Sequence, residues 1–344
     1  MNCEVVYLEP LGSGVVKSEL RSDALWGAIC WAIRLLEGPA VLQDFIQSYE
    51  TANQEVCLIS SAFPYSAAWD AGTQSWAKTH FFPTPMLSPE AAIRFDTSGL
   101  SPEAIKLKNR ELNKKETNDQ LRQVRLETIL NGRKDRMAAD AIPRILQRPM
   151  THNTIDRRFA GTRSINDQGQ LFHTDDTFIR DLPDEKAGWF FLLKGSTDIV
   201  SAALRFLEHF GIGGDRSTGK GRFIIQGPEK FSLNTPADAN AQMTLSLYRP
   251  RPEELQAIQS LATPANLNYQ LEERRGRTIW KKSNENGKSK RMDEAALYFK
   301  EGSVFPLFEH SRGCCGQNPK VGQHPAGFDI FRYGHAFMLP LKIK

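Results

Sequence analysis

No apolar run in this sequence is long enough to cross a bilayer as a helix: the densest, Trp189–Leu193, has five residues where about 20 are required. The opening residues carry Glu4 and no apolar core, against a secretory leader. Cysteine is scarce, and the five present (Cys3, Cys30, Cys57, Cys314 and Cys315) are odd in number and scattered, against a disulfide framework. Charge of one sign is also weak: the net +4 does not by itself identify a polyanionic partner, so local clustering must decide. Low-complexity segments and short tandem repeats are absent. The expectation is a reduced, soluble, cytoplasmic chain with no membrane partner and no cofactor, its 344 residues sufficient for two cores.

What is present reads as a mixture of strands and helices. Residues 4–9 (EVVYLE) predict a strand, and 22–38 (SDALWGAICWAIRLLEG) a helix with Ser22 as its N-cap and Gly38-Pro39 as its stop. Leu25, Trp26, Ile29, Cys30, Ile33 and Leu36 form its apolar face, which places Trp26 in the core. A second strand and helix follow at 188–195 and 196–210, and a strand at 222–227. Two such strand–helix units on one antiparallel sheet give the fold class, α+β and ferredoxin-like (RRM-like). The first domain is expected over 1–230, with an insertion at about 95–185 that is helical over 101–137 and forms a β-hairpin over 162–174, turning at Asn166–Gly169. A boundary is expected near 228–240. The second ferredoxin-like domain, 238–344, should hold a helix over 252–261 and strands over 266–273, 296–307 and 328–341.

The stretch FGIGGDRSTGKGRF (210–223) superficially fits a phosphate-binding NTPase loop. Such a loop needs a strand before it and a helix after it, and here the order is reversed. Gly221 also stands where a magnesium-binding hydroxyl belongs. What remains is five glycines in eleven residues (211, 213, 214, 219 and 221) interleaved with Arg216, Lys220 and Arg222, a composition that bares backbone amides beside cations for anionic oxygens. Residues 141–165 add five arginines against Asp156 alone.

A ferredoxin-like unit whose second helix runs into G-x-G-G-x-x-x-x-G-x-G resembles the RAMP superfamily of CRISPR-associated RNA-binding proteins. More narrowly, ELRSDALWGAI (19–29), NTIDRRFAGTRSINDQGQLF (153–172), GIGGDRSTGKGRF (211–223) and RYGHAFMLPL (332–341) resemble the fourth-subunit family of the type III-A Csm effector. The resemblance implies a non-catalytic subunit that grips the repeat-derived 5′ tag of the crRNA with two ferredoxin-like domains and joins the large polymerase-like subunit to the backbone RAMP filament. Carried over by position, Gly213, Gly214, Arg216, Ser217, Lys220 and Arg222 would contact RNA phosphates. Asn153, Ile155, Asp156, Arg157 and Arg158 would sit at the base of a thumb-like hairpin, with Arg163 facing RNA and Ile165 or Phe172 pressed between nucleotides.

Two alternatives stay open. A metal-independent endoribonuclease that processes CRISPR precursor RNA would need an acid and a base at one phosphate, with His152 as the candidate. A purely protein-binding scaffold would turn its basic loops toward acidic partners. His80, among aromatics, reads as packing. His310, Cys314, Cys315 and His324 lack the spacing of a zinc site, so no metal is expected. The basic stretch 274–291, eight Lys/Arg against one Glu, reads equally as a mobile surface loop or as a contact for target RNA or a neighbouring subunit.

Overall fold

The computed structural model describes residues 1–12, 14–17, 19–51, 55–87, 101–103, 120–133, 142–153, 155–156, 158, 161–162, 164–165, 168–169, 171–281, 288–292, 294–308, 314–324 and 327–343. Among them are five α-helices: α1 (Ser22–Leu36), α2 (Pro39–Ser48), α3 (Gln123–Leu130), α4 (Asp198–Phe210) and α5 (Pro252–Leu261).

The larger sheet grows from β1 (Asn2–Pro10), whose uninterrupted apolar stretch is explained by burial on both sides. Val6 and Leu8 point into one core, Val5 and Tyr7 into another. Beside it, numbering the strands used here in chain order, are β2 (Phe63–Asp70), β3 (Ser75–Pro83), β4 (Gln120–Arg122), β7 (Glu185–Lys194) and β8 (Phe223–Ser232). Their order across the sheet is β8-β1-β7-β2-β3-β4, every neighbour antiparallel. β7 repeats the two-sided pattern, with Trp189, Phe191 and Leu193 on one face and Phe190 and Leu192 on the other.

One face carries α1 and α4, which bury Leu25, Trp26, Ile29 and Ile33 and Val200, Ala203, Leu204 and Leu207 against it. Trp26 lies in the core, against Phe45, Tyr49 and Tyr333. Two details of α1 correct the expectation. Ser22 is not the N-cap: Arg21 occupies that position, while the buried Ser22 donates its N–H to Ser61 Oγ (2.9 Å) and accepts the Leu247 N–H at its Oγ (3.0 Å). Leu36 is 43% exposed and leaves the stripe, because the helix ends there and Gly38 turns the chain into α2, an element not foreseen.

The opposite face is covered by a smaller sheet, in which β9 (Ala241–Thr244) lies between β14 (Val304–Pro306) and β15 (Met338–Leu341). Ala241, Met243, Leu339 and Leu341 pack with Val5, Tyr7, Phe190 and Leu192 in one shared cluster, joined by Leu126 and Leu130 of α3. The strands expected over 296–307 and 328–341 are each broken in two, by Gly302 in one and by the segment around buried His335 in the other. At Gly302 the backbone turns at φ +90°, and a Cβ would stand 2.7 Å from the Thr84 oxygen, so a turn replaces the ladder. The stretch 266–273 contributes only Leu271–Arg274 (β10), which pairs with Ala296–Phe299 (β13). β8 runs past Pro228 to Ser232, beyond the expected end; its N–H-deficient proline falls at a register shift on the sheet's edge, where no ladder donor is required.

Within the insertion, β5 (Arg144–Asn153) and β6 (Leu171–Arg180) pair over ten residues. The ladder therefore extends well beyond the expected 162–174; farther out Ser164–Ile165 pair with Gln168–Gly169, and Asn166 and Asp167 of the expected turn lie outside the described residues. Residues 104–119 and 134–137 of the expected helical stretch lie outside the described residues. Within the basic stretch, β11 (Arg277–Lys281) and β12 (Lys288–Met292) form an antiparallel ladder where a loop was expected, and Arg274 is fixed on Asp23 by two bonds of 3.1 Å; residues 282–287 lie outside the described residues.

Candidate nucleic-acid interface

The glycine loop leaves α4 at Gly211, whose N–H caps the helix on the Leu207 oxygen (2.6 Å), and closes on itself where the Ile212 N–H donates to the Gly221 oxygen (2.8 Å). Gly221 is required sterically. Its φ is +68°, and an added Cβ would lie 1.9 Å from the Ile212 oxygen. The Gly221 N–H donates in turn to Val15 (2.8 Å), tying the loop to the segment that follows β1. Between these closures the chain bulges outward through a single 3₁₀ turn, Arg216–Thr218. Among the described residues, no acceptor in the chain engages the Gly213 or Gly214 N–H.

The hairpin joins the loop at its root. Val16 and Thr177 exchange two backbone hydrogen bonds (2.8 and 2.7 Å), and the Lys220 ammonium donates to Asp176 on β6. Both partners of that pair are largely buried, at 13% and 10% side-chain exposure, so Lys220 is directed at the hairpin root. Lys17 pairs with Asp215 at 2.9 Å on the other flank. Arg216 behaves differently: its guanidinium lies over the Trp31 ring, 4.1 Å from the centroid. Ser217 and Arg222 are exposed, the latter leading into β8. Sequence reasoning missed Trp31, Lys17 and Asp176. Trp31 had a legible signal, an aromatic off the buried stripe of an amphipathic helix, whereas only the fold brings Lys17 and Asp176 to the loop.

Farther out, Asn153 ends the long ladder opposite Leu171, and Ile155, Leu171 and Phe172 are 67%, 64% and 49% exposed. Asp156 and Ile165 lie in two-residue strands beyond it, and Arg158 is exposed in a turn between them. Arg157 and Arg163 lie outside the described residues. His152 stacks on Phe172 (centroids 5.1 Å, 19° between planes) and shares a hydrogen bond with Thr174 Oγ1 (2.8 Å). His173 bonds Thr151 instead (3.1 Å), and strand alternation turns it to the other face. Among the described residues no carboxylate is hydrogen-bonded to His152.

The remaining candidates are elsewhere. His80 is buried, its Nε2 2.8 Å from the Tyr7 hydroxyl oxygen. Cys314 and Cys315 are buried in different core clusters, and desolvation pushes both thiols up. His324 stacks on Phe328 at 4.2 Å, and His310 lies outside the described residues. No helix among the described residues is long and apolar enough to cross a membrane.

Comparison with known proteins places this geometry. Residues 237–341 match the CRISPR Csm4 C-terminal domain family. A curated relative, the CRISPR system Cms protein Csm4 of Thermococcus onnurineus (strain NA1), is 24% identical over 210 residues, 60% of this chain and 62% of the relative, so the match spans less than two thirds of its length. A chain of a Csm1-Csm4 cassette in complex with cA4 superimposes with a TM-score of 0.60 at 18% identity, covering 100% of this chain and 99% of its own. The same cassette in complex with pppApA gives 0.58 at 19% identity, with the same coverage. A chain of a Csm3-Csm4 subcomplex in the type III-A CRISPR-Cas interference complex gives 0.51 at 14% identity, covering 98% and 99%. The fold is thus shared from end to end.

Proposed function

We propose that this chain, a Csm4-like protein of the type III-A RAMP class, is a non-catalytic crRNA-binding and assembly subunit of a type III effector complex. It holds the repeat-derived 5′ tag of the guide and links a large polymerase-like subunit to backbone RAMP subunits. The observation that carries the reading is the joint between glycine loop and hairpin, built from the Val16–Thr177 bridge and the Lys220–Asp176 pair. It sets the Gly213 and Gly214 amides, which no acceptor engages among the described residues, at the root of a long arm whose outer part bears Ile155 and Phe172. The amides, with Ser217 and Arg222, suit phosphate oxygens; Lys220 acts by fixing the loop to the arm. Asn153, Asp156, Arg157, Arg158 and Arg163 then follow the RNA outward, and Ile165 or Phe172 enters between bases.

We read both units as ferredoxin-like, over 1–230 and 238–344. For the first, β1, α1, β2, β7, α4 and β8 follow one another in the chain and stand as 4-1-3-2 in the sheet, which supports the reading. For the second, the support is a central β9 flanked by β14 and β15, with Asn268 bridged to Val304 where the fourth strand would lie. The face of the larger sheet that such units often offer to RNA is sealed by the smaller sheet, so the tag must run along loop and hairpin. The solved cassette with Csm1 and the subcomplex with Csm3 support the assignment of a large and a backbone partner.

The test uses 5′-labelled repeat RNA with the full chain and EDTA, split between native and denaturing gels. Capture predicts a shifted band of intact RNA, weakened at least tenfold by Arg157→Ala with Arg158→Ala. A shorter product that disappears in His152→Ala would establish the nuclease instead. Unshifted RNA, with binding to the large subunit that survives RNA removal, would establish the scaffold.

A further inference from the structure

We propose that Arg216 and Trp31 form a stacking platform for one nucleobase, so that Arg216 reads the flat face of a base and not a phosphate. The inference rests on the RNA-binding reading above and reassigns one of its residues.

Four charges at the outward bulge of the loop form two pairs of opposite sign: Lys17 with Asp215, and Lys220 with Asp176. Arg216 has no ion pair and no side-chain hydrogen bond among the described residues. Its guanidinium instead lies on the indole of Trp31, 4.1 Å from the ring centroid. The indole is itself braced, with Phe206 at 5.7 Å and Phe210 at 5.6 Å, and those two rings stack on each other at 4.3 Å. Phe210 remains 49% exposed beside them. A planar cation held against a fixed aromatic loses little freedom when a second flat group lies on its other face, and guanidinium planes accept bases in this way. The Gly213 and Gly214 amides, three and two residues away, supply the complementary anchor for a phosphate of the same strand.

A phosphate contact and a stacking contact differ in what a lysine does in place of the arginine. Lysine keeps the charge but has no plane. Binding of repeat-derived single-stranded RNA by the full chain is measured by fluorescence anisotropy for the wild type, Arg216→Lys and Trp31→Phe, using normal RNA and a series with one abasic position each. Arg216→Lys is expected to weaken binding of normal RNA about tenfold, while Trp31→Phe, which keeps a ring, retains most of it. One abasic position should cost the wild type a similar factor and abolish the difference between wild type and Arg216→Lys. Wild-type affinity in Arg216→Lys, or a difference that persists at every abasic position, would overturn the platform while leaving RNA capture standing. Absence of any binding by the wild type would overturn capture and the platform with it.

Discussion

Gly221 shows how much one missing methyl group decides. Its amide and carbonyl both close the glycine loop, at φ +68° and with the Ile212 oxygen 1.9 Å from where a Cβ would stand. Gly221→Ala is expected to lower stability by about 1–3 kcal/mol and to abolish RNA binding, because the loop must open to admit the methyl. Gly213→Ala meets nothing within 4 Å and carries only the cost of its φ of +97°, about 1–2 kcal/mol. Urea midpoints of the two variants decide, and equal losses would contradict the steric account. A second residue-scale effect is pH dependence. Burial, aided by Lys78, pulls His80 down to about 4, and burial with Arg251 nearby pulls His335 to about 3. Both are neutral when folded and titrate near 6.5 when unfolded, so stability is full above 6.5 and is lost as pH falls toward 4. Glu301, whose carboxyl burial pushes up, works in the opposite sense. With both histidines acting in the same sense, urea unfolding from pH 7.5 to 5 should show falling stability; a flat profile would contradict this.

At the scale of elements, the hairpin of β5 and β6 separates folding from binding. Most of its residues are exposed on both faces, and apart from Asp176 and Thr177 at its root none is buried. Replacing 154–170 by an Asn-Gly turn between Asn153 and Leu171 should therefore move the Tm by no more than about 3 °C. Tag affinity should fall at least tenfold in the same variant, and an unchanged affinity would remove the outer hairpin from the interface. The same exposure explains what was legible. The turn at 166–169 has its own chemistry in Asn and Gly, but the stems lack the apolar alternation by which a half-buried strand is read. For α1 and α4 the stripe was plain, since each packs one face on a sheet.

For the whole molecule, the decisive feature is that the two sheets share one core. Ion pairs bind the same two halves at the start of α1. Arg21 reaches Glu272 and Glu301, each at 2.8 Å, Asp23 takes Arg274, and the buried Glu301 also accepts from Ser61. A chain ending at residue 236 would bare Val5, Tyr7, Phe190 and Leu192 and leave Arg21 and Asp23 without those partners. It is expected to aggregate or to bind the dye ANS strongly, while the full chain does neither. A soluble truncated chain that binds no ANS would show that the halves fold independently.

Local chemistry alone determined the helices that meet a sheet, the strands buried on both sides and the glycine loop with its reversed strand–helix order, because side-chain periodicity and missing Cβ atoms are written residue by residue. Tertiary structure decided the rest. Ser22 lost its capping role to contacts with Ser61 and Leu247, and Gly302, turning at φ +90°, broke a strand. Lys220 turned to Asp176, 44 positions earlier in the chain, and Arg216 settled on Trp31. Contacts between residues so far apart depend on how the sheets stack and where the hairpin roots, which no local pattern encodes.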